Sequence, residues 1–449
     1  MDQTNSVGSS LRRRSLSMSS HISIQVDNDA ESVSEAGDIG DRALPSRRYS
    51  ERSSFRLSFD HRSENGAAGC IQEEGNLQLY PPFLHHNISV GPLPPELTSL
   101  STNAIVNSGD TKQERAEGLP VLLDYASCLL HLSVFGILGV LTRYILQKLF
   151  GPGLAGVTSD ETILYLDLPS NMVGSFFMGW FGVVFKADIS RISEHLAIAI
   201  TTGYLGSLTT FSGWNQKMVD LSVSGHWLFA ALGFLIGLFL VAFSIIFGIE
   251  TAEGFRWLLN WINMNAGSGS IKIKWKVDNC SRQLGVMVVL SVLLGLLWGV
   301  SGALVKAEFK HGGSDAQLWF ACMVGPLGVW VRWFLARLNG RGLGRTGLLK
   351  WIPFGTLAAN VSAASVMAAL ASVNKAVNTR DCDTVVAGLQ FGLMGCLSTV
   401  STFAAEFNAM RESKNPWRAY AYAVITICVS FSAGILIYCV PVWTKGFDR

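Results

Sequence analysis

The sequence predicts an all-α polytopic membrane protein. Its expected plan is two inverted four-helix repeats joined by a single linker helix (4+1+4, nine spans), with the third helix of each repeat broken. Three observations predict it. Beyond Pro120, apolar runs of about 20 residues recur, long enough to cross the hydrocarbon core of a bilayer. Three short motifs recur at one constant separation. Two of the apolar runs are also interrupted, at matching points, by glycine and hydroxyl residues: GYLGSLTTFSGW at 203–214 and GLMGCLSTVSTF at 392–403.

Residues 1–118 stand apart from the rest. They are rich in Ser, Arg, Asn and Glu and lack hydrophobic periodicity. Such a segment buries too little apolar surface to offset chain entropy, so it is expected to be a disordered cytoplasmic tail. Its basic clusters, RRRS at 12–15 and RRYSERSS at 47–54, read more simply as parts of a solubilising arm than as phosphorylation or lipid-contact sites. The whole chain of 449 residues is 49% hydrophobic and 15% charged, and its net charge of +2 points to no nucleic-acid partner. Eight cysteines are scattered singly without CxxC spacing, as reduced, small hydrophobes would be.

The expected spans are 121–149, 163–185, 196–218, 227–249, 284–304, 318–338, 352–373, 385–409 and 417–441. The fifth, containing VMVVLSVLLGLLWGVSGAL, has no polar feature beyond small residues and reads as a linker. The domains are then 119–250 (first repeat), 251–310 (loop and linker helix) and 311–449 (second repeat). Gly136, Gly139, Arg143 and Tyr144 match Gly325, Gly328, Arg332 and Trp333. Asn171 matches Asn360, and Gly206 and Thr210 match Gly395 and Thr399. Positions 136 and 325, 171 and 360, and 206 and 395 are each 189 apart. Three separate motifs at one offset mark an internal repeat.

Four spans return a chain to the side where it began, and one more carries it across. The second repeat therefore starts on the opposite face, and inverted repeats place ion or substrate sites near the midplane at their interface. Charge agrees with this orientation. Loops at 186–195, 250–283, 337–350 and 411–418 carry fourteen Lys and Arg, against eight on the other side. By the positive-inside rule, the N-terminus is cytoplasmic and the C-terminus extracellular.

Acidic residues are scarce within the spans. Asp167 lies near the start of one, Asp220 just past the end of another, and Glu406 in the last turns of a third. His131 is the one titratable candidate well inside a span, and it reads as a packing residue. A proton-coupled carrier needs a buried group that changes charge, so passive conduction is favoured. Glycine and hydroxyl residues let a helix unwind at depth, exposing carbonyls that can bind a cation where the segment is buried. Close packing through small residues is the plainer account of one such stretch, but not of two matched ones.

GxxGxxxR[YW], an Asn in the second span and GxxGxLTTFSxF in the third together resemble the Fluc/CrcB fluoride channels. Two such units joined by one helix resemble the eukaryotic fluoride exporters of the FEX type, over roughly residues 125–440. The resemblance implies a central structural Na⁺ held by backbone carbonyls of Gly206, Thr209, Gly395 and Ser398, where Ser in place of Thr at 398 matters little if only the carbonyl is used. It also implies a fluoride pore lined by the second-span asparagine, phenylalanines from the break motifs of opposite units, and hydroxyls on the fourth helix.

The two repeats keep this pattern unequally. Repeat one has TTFSGW, retaining Phe211 but placing Trp214 at the second aromatic position; repeat two has STVSTF, with Val400 and Phe403. In the resembled family a pore pairs the first aromatic of one unit with the second of the other, which implies that Phe211 and Phe403 can share one pore and leaves Val400 and Trp214 to its twin. Tyr422, Thr426 and Ser430 put three hydroxyls on one helical face, although such hydroxyls also bond their own backbone. The matching positions 189 earlier are Gly233, Gly237 and Val241. One pore is thus expected to work and the other to be vestigial. Asn171 and Asn360 are both retained, with Asn360 favoured for the working pore. Arg143 and Arg332, towards the ends of their spans, either snorkel to the interface or draw anions into a vestibule.

The resulting expectation is a non-enzymatic, passive fluoride channel of the plasma membrane, acting as a monomer that is its own internal pseudo-dimer in the lipid bilayer. A Na⁺-coupled secondary transporter of another small anion or solute is the alternative, and a membrane scaffold whose tail recruits partners is a weaker third.

Overall fold

The computed structural model describes residues 120–159, 162–265, 280–309, 313–339, 349 and 351–446; the expected tail at 1–118 lies outside them. The described residues form helices and connecting turns, without strands. α1 (Val121–Phe150) starts directly after Pro120. Within it, Ser133 and Thr142 donate to the carbonyls of Leu129 and Leu138 at 2.8 Å each, so these hydroxyls are satisfied without leaving the helix. α2 (Leu168–Phe177) continues in wider turns through Met178–Val184 and bends by 67° into α3 (Lys186–Ile192).

The third helix of the repeat comes in two pieces. α4 begins at Glu194–Ile198, widens over Ala199–Leu205 and ends at Gly206–Leu208. After an extended Thr209–Thr210, α5 (Phe211–Val223) follows, with the Thr210 side chain accepting from the Gly213 N–H as its cap. α6 (Trp227–Asn265) closes the repeat, and α7 (Cys280–Glu308) is the linker.

The second half repeats the order. α8 (Ser314–Leu335) and α9 (Phe354–Val377) come first. α10 starts at Arg380–Gly388, widens over Leu389–Met394 and ends at Gly395–Leu397. α11 (Ser401–Glu412) follows the break, and α12 runs through Trp417–Gly434, Ile435–Cys439 and Val440–Lys445.

Among the described residues, seven helices are long and apolar enough to cross a membrane, or eight if the bent pair α2 and α3 is one span. That is fewer than the nine expected. The missing one is the span at 196–218, although the matching broken helix of the second repeat, Arg380–Glu412, is counted as one span.

The first helices of the two halves run antiparallel. At the end of α1, the Tyr144 hydroxyl donates to Asp315 at the start of α8 at 2.8 Å. At the other end, Trp330 of α8 donates its indole N–H to Ser133 of α1 at 3.0 Å, and Trp333 packs edge-on against Tyr125 at 5.0 Å. α7 lies against α1 and α8, contributing Leu290 and Leu294 to their shared core. Its other face is exposed and apolar, with Val288, Val292 and Leu296 uncovered, as are Leu235 and Phe239 of α6. Such a surface suits lipid rather than water.

Candidate ion pathway

The helix breaks meet at the centre of the molecule and satisfy one another. The Thr209 hydroxyl of repeat one accepts from the backbone N–H groups of Val400 and Ser401 at 3.2 and 3.0 Å. The Ser398 hydroxyl of repeat two accepts from Phe211 and Ser212 at 3.2 and 3.0 Å. Each hydroxyl therefore caps the half-helix of the other repeat, filling orphan donors that would be costly at this depth. The two asparagines complete the arrangement. Asn171 accepts from Thr210 N at 2.8 Å and donates to Thr210 O at 3.1 Å. Asn360 makes the same pair of bonds to Thr399 at the same distances. At 398 more than the carbonyl is engaged. The side chain is used, and serine serves because it retains the hydroxyl.

The arginines are not at an interface with water. Arg143 and Arg332 are 1% and 4% exposed, which rules out snorkelling. Arg332 reaches across to repeat one, where its Nη1 donates to Gly206 O at 2.6 Å and its Nη2 to Thr202 O, while Nη1 also donates to Ser398 O of its own repeat at 3.0 Å. Arg143 reaches the other way, donating to Phe391 O at 2.6 Å with its guanidinium 4.3 Å from the Phe391 ring centre. These close approaches explain the break glycines. A Cβ on Gly206 would stand 2.5 Å from the Arg332 guanidinium, and one on Gly395 would overlap that of Arg143. Arg143 lines a cavity of about 570 Å³ between the end of α1 and the start of α8, with Lys148 and Lys217; Arg332 does not line it.

The arginine bonds also test the expected cation site. Of the four carbonyls assigned to Na⁺, those of Gly206 and Ser398 already accept from Arg332. A sodium ion would share two ligands with a guanidinium of the same charge sign. The four-carbonyl set therefore does not fit a resident Na⁺.

On either side of this crossing lie two very different pathways. In the first, Phe211 and Phe403 come together with ring centres 6.2 Å apart, and Tyr422 lies 5.2 Å from Phe403. Tyr422, Thr426 and Ser430 are all fully buried, although the rest of α12 exposes Val424 and Val429. The Thr426 hydroxyl donates to Tyr422 O at 2.8 Å, the back-bond noted as the alternative. The Ser430 hydroxyl has no partner among the described residues. Asn360 faces this side, on α9, which packs against α12.

Glu406 is the residue that sequence reasoning missed. It is buried, accepting from the Tyr422 hydroxyl at 2.7 Å and the Thr356 hydroxyl at 2.5 Å. Its signal was available, because it follows Phe403 by three positions and so shares that residue's helical face.

The second pathway is filled. Trp214 is fully buried, stacks on Tyr165 with ring centres 5.9 Å apart and planes at 5°, and donates its indole N–H to Gly233 O at 3.3 Å. A Cβ on Gly237 would stand 2.6 Å from the indole, so glycine is what makes room for the ring. Val400 and Phe234 pack into the same cluster. Asn171 gives its second amide hydrogen to the Tyr165 hydroxyl at 3.1 Å. The residue matching Tyr165 is Phe354, so Asn360 has no such partner among the described residues and keeps a donor to offer.

The family described as CrcB-like protein, Camphor Resistance (CrcB), matches this chain twice, at residues 130–249 and 319–438. The two matches begin 189 positions apart, the offset of the internal repeat. Similar curated proteins include "Fluoride-specific ion channel FluC 2" of Listeria monocytogenes serotype 4b (strain F2365), 35% identical over 124 residues, covering 26% of this chain and 85% of that protein. "Fluoride-specific ion channel FluC" of Gluconobacter oxydans (strain 621H) is 31% identical over 135 residues, covering 30% and 90%. Its namesake in Geotalea uraniireducens (strain Rf4) is 31% identical over 133 residues, covering 29% and 90%. No solved structure matches the chain.

Proposed function

The chain belongs to the CrcB-like protein family, and from that premise we propose that it is a passive, fluoride-selective channel that lets cytoplasmic fluoride leave down its electrochemical gradient. The observation that carries this reading is the unequal pair of pathways. On one side Phe403 packs against both Phe211 and Tyr422, while on the other Trp214 is packed against Tyr165, Val400 and the outer edge of Phe211.

The working pathway has the chemistry a small, strongly hydrated anion requires. Phenyl edges carry partial positive charge, and amide and hydroxyl hydrogens donate. Fluoride can therefore shed water without meeting a full positive charge that would trap it. The spare amide hydrogen of Asn360, the phenyl edges and the hydroxyls of Tyr422, Thr426 and Ser430 are its successive partners. At Tyr422, fluoride competes with Glu406 for the phenolic hydrogen. Arg143, on the wall of the cavity it shares with Lys148 and Lys217, gathers anions towards the protein. A central Na⁺ has no part in this reading, because Arg332 already holds two of the four carbonyls expected to bind it.

The protein works as a single chain whose two halves play the part of two subunits. It resides in the plasma membrane with its N-terminus in the cytoplasm and its C-terminus outside, the orientation that the charge bias favours. The competing reading is a Na⁺-coupled carrier of another small solute. Fluoride-electrode efflux from liposomes holding the purified full chain, with chloride as control, separates the two. Fluoride efflux that proceeds without Na⁺ or pH gradients, with chloride retained, is the expected result. Efflux that requires a Na⁺ gradient, or equal loss of chloride, contradicts it.

A further inference from the structure

Asn215 lies one helical turn beyond Phe211 on α5 and is fully buried. It points across to α12, where its Nδ2 is 3.4 Å from Ser430 O. Neither its Oδ1 nor the Ser430 hydroxyl has a hydrogen-bond partner among the described residues. Two unpartnered polar atoms at this depth are a liability to folding. Their surroundings are closely packed, and the next turn of α12 has room only for glycine. A Cβ on Gly434, one turn further along α12, would lie 2.6 Å from Val219 and 3.4 Å from Asn215 Nδ2.

The other repeat supplies the control. The residue 189 positions after Asn215 is Ala404. It is buried in the cluster with Val400 and Trp214 that fills the second pathway. An amide therefore stands one turn after Phe211, and a methyl group one turn after the matching Val400.

We propose that Asn215 is a pore-lining anion ligand that, with the Ser430 hydroxyl, forms a fluoride-binding position beyond the Phe211–Phe403 pair, at the far end of the hydroxyl track from Tyr422. The second Asn215 amide hydrogen and the Ser430 hydroxyl donate to the fluoride and replace part of its hydration shell. This position lengthens the run of donors past the aromatic constriction. It rests on the fluoride-channel reading above.

Flux through the full chain in liposomes tests the proposal with three variants. Asn215→Ala, which copies the residue of the other repeat, and Asn215→Val, which fills the space without a donor, are each expected to lower fluoride efflux at least tenfold. Asn215→Ser, smaller but still a donor, is expected to stay within threefold of wild type. A purely structural residue would behave the other way, with packing by Val restoring flux better than Ser. Val efflux equal to or above Ser efflux overturns the proposal, as does Ala at the wild-type rate. If Asn215→Ala does not fold, the Val and Ser variants decide alone. Wild-type protein without fluoride efflux would refute the channel reading itself, a different and separable failure.

Discussion

The two pathways are built from matching helices at one fixed offset, yet one is lined and the other plugged. The crossing between them has kept its design in both halves. Thr209 and Ser398 each cap the opposite repeat, Asn171 and Asn360 each clamp the residue after a break, and Gly206 and Gly395 each admit an arginine from across the interface. Outside the crossing the halves part company. Phe403, Glu406 and Tyr422 stand where the first repeat has Trp214, Lys217 and Gly233. The lesson is one of shared and private use. A crossing residue serves both repeats, so losing it would damage the whole molecule. A lining residue serves one pathway, so it can drift once the other suffices.

The comparison can be broken at several points, the largest effect first. Phe211 and Val400 hold matching positions but face different pathways. Phe211→Ile is expected to cut fluoride efflux by about 100-fold, since it removes one of the paired aromatic edges (~2.7 kcal/mol of barrier). Val400→Ile should leave efflux within threefold, and comparable losses from both would undo the assignment of one aromatic to each pathway.

Trp214→Ala empties the plug. Removing a fully buried indole costs about 3–5 kcal/mol of stability, visible as a lower unfolding temperature in detergent, while fluoride efflux persists. Loss of efflux without loss of stability would show that Trp214 lines a working pore.

The arginines come next. Arg332 satisfies three backbone carbonyls and Arg143 one. At about 1–3 kcal/mol for each buried acceptor left bare, Arg332→Ala should destabilise the protein by about 2 kcal/mol or more beyond Arg143→Ala. Equal losses in paired thermal-unfolding measurements would deny Arg332 its place at the crossing.

The smallest effect concerns the cap. Ser398→Ala leaves the N–H groups of Phe211 and Ser212 uncapped and should cost about 1–2 kcal/mol, whereas Ser398→Thr should stay within about 0.5 kcal/mol because it keeps the hydroxyl. Equal costs would return the site to one where only the carbonyl counts.

Much of this was legible in the sequence. The repeat offset locates the breaks, and the sequence itself shows that the aromatics and hydroxyls around them differ between the repeats. What stayed hidden depended on contacts between distant positions. The reciprocal caps join residues far apart in sequence, 191 positions for Thr209 and Val400, and nothing local in either hydroxyl announces its partner. Arg332 looked interfacial because an arginine near a span end usually is; only the convergence of Thr202, Gly206 and Ser398 carbonyls explains its burial. Glu406 was set aside as an acid near a span end, because its partners Thr356 and Tyr422 come from two other helices. The span count fell short for a physical reason as well. Of the two broken helices, the second passes as one span and the first, which carries more polar residues after its break (Asn215, Gln216, Lys217 and Asp220), does not.

The central claim is that one pathway conducts and the other does not, and Phe403 and Trp214 test it most directly because they hold matching positions. The decisive measurement is fluoride efflux from liposomes carrying Phe403→Ile or Trp214→Ile, each checked for a monodisperse, folded protein. The account predicts that efflux is abolished in Phe403→Ile and retained in Trp214→Ile. Equal loss in both variants, or loss in Trp214→Ile alone, would contradict it.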